Sequence, residues 1–217
     1  MSILSRALAH RRAHPFGQFG QSDDELSNHG ATGCTDTTLQ FLARLLKSVA
    51  YSHNQIRRRV GHGNRYTGLN SNEVGAWFRS VRLPYVVKFN LTASQMLSLS
   101  RSRGPVLFGE LYGWHPEWRG YTYSGVKADG RPNGFARPAY KAGKNQLRGF
   151  TGRHAAVLLG YTDSDHVYVF EPNHNSSGRP ENVAYDVITI AQFKALIASW
   201  KRSTGNTYCA YPTKALS

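Results

Sequence analysis

The chain has 217 residues, 40% of them apolar, which is enough for one folded domain and excludes wholesale disorder. Lys and Arg number 27 against 13 for Asp and Glu, and the resulting net charge of +14 favours polyanionic partners such as nucleic acid, anionic lipid or a teichoic-acid-rich cell wall. No run reaches the roughly 20 apolar residues of a membrane helix, and Met1 to Leu8 is too short and too soon broken by Arg6 for a secretory signal.

The expectation is therefore synthesis in a cytoplasm without a signal peptide or membrane insertion, which also suits a phage virion. Residues 1–27 read as an extended basic arm, because His10-Arg11-Arg12 leads into a Gly-rich stretch without period. Residues 28–217 read as one domain with no internal repeat. The first helix opens near Cys34, with Thr32 as its N-cap. Leu39, Leu42, Ala43, Leu45, Leu46, Val49 and Ala50 recur at helical spacing and give it one apolar face. Arg57-Arg58-Arg59 reads as a local basic concentration, and Gly61-His62-Gly63 as a turn.

Asn70-x-x-Glu73 is a capping-box pattern that announces a second helix through Val74, Trp77 and Phe78, ending before Pro84. Tyr85 to Phe89 reads as a strand, and Thr92-x-x-Gln95 starts a short helix through Met96, Leu97 and Leu99. After Gly104-Pro105, Val106 to Leu111 reads as a strand. Residues 113–152 show little period but many aromatic and basic residues, and read as a long loop insertion. The charge excess between Arg101 and Arg153 is either a solvated surface or a face for an anionic polymer.

Two strands follow, His154 to Tyr161 and His166 to Glu171. The short Asp163-Ser164-Asp165 turn between them makes a hairpin. Residues 182–188 suggest another strand, Thr189-x-x-Gln192 caps a helix carrying Phe193, Leu196, Ile197 and Trp200 on one face, and Thr207 to Tyr211 is a terminal strand. A helical first half followed by a mainly antiparallel sheet is an α+β domain. Cys209 in the last strand reads as core. A Cys34–Cys209 disulfide and a reactive Cys34 beside an inert Cys209 both remain open.

Three features combine into chemistry: a cysteine opening a helix, a histidine opening a strand, and a carboxylate or amide ending the next strand. A helix N-terminus and an imidazolium both stabilise a thiolate. Histidine can take the thiol proton and return it to a leaving amine, given a third polar group to orient its ring. Hairpin geometry makes His154 and Glu171 neighbours, with Asn173 two residues beyond. No histidine spacing fits a metal site and no phosphate or dinucleotide fingerprint is present, so no cofactor is expected.

The segments Gly33-Cys34-Thr35-Asp36-Thr37-Thr38-Leu39, Gly104-Pro105-Val106-Leu107, Gly152 to Tyr161 and Val167 to Pro172 stand in the order found in papain-like cysteine peptidases. The chain most resembles the bacteriocin-leader (double-glycine) peptidases and their relatives. That resemblance implies a papain-like fold with Cys34 as nucleophile at the start of the central helix and His154 as base. Glu171 or Asn173 would orient the ring, and Asn28 would stand where the family places an oxyanion-binding glutamine. The chain departs from the pattern in having Asn for Gln at 28 and Glu for Asp at 171, and it lacks the Gly-Pro after Cys34. The function expected is a cysteine peptidase or amidase acting on a peptide or peptidoglycan, as a phage lysis or virion-associated enzyme. The alternative is a structural or assembly protein with a degenerate site that binds virion proteins or nucleic acid.

Overall fold

A computed structural model describes residues 34–63, 68–116, 149–161, 164–170, 185–191, 193–194, 197–198 and 207–216. Its elements are α1 (Cys34–Lys47), α2 (His53–Arg59), α3 (Ser71–Ser80), β1 (Tyr85–Phe89), α4 (Ala93–Ser102), β2 (Val106–Pro116), β3 (Gly149–Tyr161), β4 (His166–Phe170), β5 (Tyr185–Thr189) and β6 (Tyr208–Pro212). The strands form one sheet in the order β1-β6-β2-β3-β4-β5, and each neighbouring pair is antiparallel. Helices precede and flank an antiparallel sheet, so the domain is α+β.

Strand alternation sorts the core into two layers. Leu107, Val157, Leu159, Tyr168, Phe170, Tyr208 and Ala210 face α1, α2 and α3, joining Leu39, Phe41, Leu42, Ile56, Val74, Trp77 and Phe78. Val106, Phe108, Ala156, Leu158, Val167, Val169 and Cys209 face the other way, against Met96 and Leu97 of α4 and against Phe193 and Ile197. Those two side chains belong to helical positions that begin at Ile190, directly after β5. Leu196 and Trp200, expected on the same face, lie outside the described residues. Cys209 is fully buried in a central strand, and it and Cys34 are both thiols rather than a disulfide.

The helix starts follow local chemistry. Asn70 Oδ1 accepts from the backbone N–H of Asn72 and Glu73, while Glu73 Oε2 accepts from the Asn70 N–H, and α3 begins there. Thr92 and Gln95 form the same reciprocal cap on α4. The C-terminus of α1 corrects the sequence reading, because the helix stops at Lys47 rather than running to Ala50. Ser48 takes a left-handed φ of 56°, and Val49 is exposed, so apolar character alone extended the expected face too far.

Residues 51–63 depart further from expectation. Ser52-x-x-Gln55 is also a capping box, and it starts α2, which the sequence reading passed over. Arg57 is therefore not on a basic surface: it is fully buried, whereas Arg58 and Arg59 are exposed. Gly61 and Gly63 do make a turn at left-handed φ of 71° and 63°, yet His62 between them is buried. β2 and β3 continue pairing to Pro116↔Gly149, inside the segment read as a loop; residues 117–148 lie outside the described residues, as does the expected arm.

Gly109 is required by a close approach. A Cβ there would meet the Tyr208 ring and hydroxyl at 2.6–2.9 Å, and Tyr208 is fully buried. The β2–β3 register shifts at this point, between Phe108 and Leu111. Among the described residues no helix is long and apolar enough to cross a membrane.

Candidate active site

Cys34 is the first residue of α1, and the helix packs on β3. Two turns along, Phe41 stacks on Phe170 with ring centroids 4.1 Å apart and planes 5° from parallel, which seats α1 against the end of β4. Cys34 is 5% exposed, and its sulfur lies 4.0 Å from Thr35 Oγ1. Unpaired N–H groups of a helix start carry partial positive charge, the environment that favours a thiolate.

His154 lies within β3 with its backbone opposite Leu111 of β2, immediately past the register shift. The last residue of β4, Phe170, pairs with Val157, three positions downstream of His154. The chain therefore leaves β4 at the end of the sheet where His154 sits. The structure thus brings the helix of Cys34 onto the strand of His154. Glu171, Asn173 and Asn28 lie outside the described residues.

The first turn of α1 is unusual in being polar and buried. Thr35, Asp36, Thr37 and Thr38 are all nearly or fully sequestered. Burial of such groups demands hydrogen-bond partners, and α2 supplies two of them. Arg57 donates to Asp36 Oδ2 from Nη2 at 2.7 Å and from Nε at 3.2 Å. Thr37 Oγ1 and His53 Nε2 are hydrogen-bonded at 3.2 Å. Within the turn itself, the Thr38 hydroxyl donates to the Thr35 carbonyl at 2.7 Å.

Burial pushes the Asp36 carboxyl above its ordinary value, against the hydrogen bonds and charge of Arg57 and the weaker pull of His53 and His62. Farther out, His62 Nδ1 and Glu73 Oε1 pair at 2.8 Å, while the other oxygen of Glu73 caps α3. Sequence reasoning used Glu73 only as a cap and missed the cluster of Asp36, His53, Arg57 and His62. The overlooked signal was the Ser52-x-x-Gln55 box, which sets His53, Ile56 and Arg57 at helical spacing so that one face can reach α1. Among the described residues no group of three or more His, Cys, Asp or Glu could hold a metal ion.

No model of a known protein family matches the chain, and no curated protein matches it. Among solved structures, that of a candidate C39-like peptidase from Bacillus anthracis is similar, with a TM-score of 0.51 over 93% of this chain and 97% of that one. The two are 13% identical. A likeness at that identity establishes the fold, which is the papain-like α+β arrangement of a helical first half and an antiparallel sheet.

Proposed function

We propose that the chain is a cysteine peptidase or amidase that cleaves an amide bond by acyl transfer. The observation that carries this reading is Cys34 at the first residue of a helix packed on the strand that contains His154. The fold shared with a candidate C39-like peptidase supports it.

In this reading His154 takes the Cys34 proton, and the thiolate adds to the amide carbonyl. The Cys34 backbone N–H and the Asn28 side-chain amide stabilise the oxyanion. Collapse of the adduct breaks the C–N bond, and His154 returns the proton to the departing amine. Water then hydrolyses the thioester with His154 as base and regenerates the thiol. Glu171 or Asn173 holds the imidazole in the productive tautomer.

For substrate, the reading takes a peptide crosslink of peptidoglycan. A net charge of +14 suits an anionic wall, and a phage lysis or virion-associated enzyme is the setting this reading assigns. The test compares wild type with Cys34→Ala on purified bacterial cell walls, following released peptides and new amino groups by mass spectrometry. Cleavage by wild type and a loss of about 1,000-fold or more in the variant is the expected result. Equal release by the two proteins, or none from either, would sink the reading.

A further inference from the structure

The polar cluster behind α1 has no part in the acyl-transfer chemistry, yet it grips the turn that begins with Cys34. Asp36 and Thr37, in that turn, are held by Arg57 and His53, one α-helical turn apart on α2. Apolar packing already joins the two helices, because Ile56 of α2 is fully buried in the same core as Leu39 and Phe41. The polar contacts are therefore additional to what adhesion requires.

They are also inefficient as adhesion. Both members of the ion pair are sealed from water, at 1% and 0% side-chain exposure. The Nε and Nη2 of Arg57 converge on Oδ2, and among the described residues Asp36 Oδ1 has no hydrogen-bond partner. Burial outweighs the help of Arg57 in setting the Asp36 carboxyl, so ionising this group in the fold is a cost. Replacing buried pairs of this kind with apolar residues is often neutral or stabilising, whereas a directional pair can specify one register over its neighbours. Register matters at this turn, because a nucleophile misplaced by about 1 Å can lose roughly 100-fold in rate.

We propose that Arg57 and His53 are positioning residues, which fix the first turn of α1 through Asp36 and Thr37 so that the Cys34 thiol and backbone N–H stand in reactive geometry. The proposal rests on the reading of Cys34 as nucleophile, but its consequence is measurable on the thiol alone. Charged and titratable groups near the turn among the described residues are Asp36, Arg57, His53 and His62, the last paired with Glu73.

The test measures iodoacetamide alkylation of Cys34 by peptide mass spectrometry at neutral pH, beside thermal melting of the same samples. The double variant Asp36→Val/Arg57→Met, of similar combined bulk, should melt at or above the wild-type temperature. Its Cys34 should alkylate at least tenfold more slowly. If wild type cleaves walls, kcat should fall in the same variant with KM within about twofold. Thr37→Val, nearly isosteric, removes only the His53 contact and should slow alkylation about threefold without loss of folding.

A double variant that melts like wild type and alkylates at the wild-type rate would overturn the proposal. If the double variant fails to fold, Thr37→Val decides: a folded Thr37→Val with unchanged alkylation overturns it, and a slowed one supports it. Wild type that leaves walls intact while the alkylation order holds would defeat the peptidase reading alone. Cys34-dependent cleavage with no alkylation difference would defeat the positioning role alone.

Discussion

Substituting Arg57 alone should be far more damaging than replacing the whole pair, and the damage should depend on pH. Arg57→Met keeps most of the side-chain bulk but leaves a carboxyl at 0% exposure without the donors that now reach it at 2.7 and 3.2 Å. Breaking a buried pair by removing one partner costs about 3–5 kcal/mol. The sign with pH follows from the direction in which the Asp36 carboxyl is moved. A carboxyl whose folded-state value lies above its unfolded value of 3.8 binds protons more readily in the fold. Its contribution to stability is thus fully present below 3.8 and is lost as pH rises through the folded value. Without Arg57 the carboxyl becomes a weaker acid still, and that loss grows. Urea unfolding of wild type and variant from about pH 4 to about pH 8 should show the gap widening towards the alkaline end, by about 1.4 kcal/mol for each further tenfold weakening of the acid. A gap below about 1 kcal/mol at neutral pH, the scale of an exposed pair, would refute the reasoning, as would a gap that stays constant across the range.

Gly109→Ala forces a Cβ into the buried Tyr208 ring at 2.6–2.9 Å, and overpacking of this kind should cost about 1–3 kcal/mol, read as a lowered urea midpoint with an unchanged slope. Glu73→Ala removes both the reciprocal cap of α3 and the carboxylate on His62; a loss of about 1–2 kcal/mol by the same assay is expected, and Glu73→Gln should recover part of it through the cap.

The fold was legible wherever period and punctuation agreed. Tyr85–Phe89 follows Pro84 and is rich in aromatic and β-branched residues, and the hairpin of β3 and β4 is marked by two apolar runs around a short polar turn. The Asn70 and Thr92 boxes lead directly into the helices they cap. The end of α1 was misread because Val49 and Ala50 are apolar, while the stop is set by the backbone at Ser48. α2 was missed because its seven residues carry a run of three arginines, and three adjacent charges look like surface. A helix separates such neighbours by about 100° each, so one of them can face inward while the other two remain in water.

Cys34 was visible in the sequence as a helix start, whereas His154, expected to open a strand, lies inside β3, which starts at Gly149; the structure places that helix on that strand. What supports the helix start was not visible, for a physical reason. Apolar periodicity finds the face of α1 that begins at Leu39, but the turn before it is buried without being apolar. A carboxylate such as Asp36 at a helix N-terminus is explained by the helix dipole alone while it stays in water. At 0% exposure the dipole does not suffice, and a carboxylate there is held by a hydrogen-bonded cation from elsewhere in the chain or kept neutral by a proton. The buried turn and the inward-facing arginine are therefore one fact, and neither could be inferred without the other. Arg57 reaches Asp36 from a helix that lies beside α1, so the misread segment and the unexplained turn resolve together once α2 is recognised.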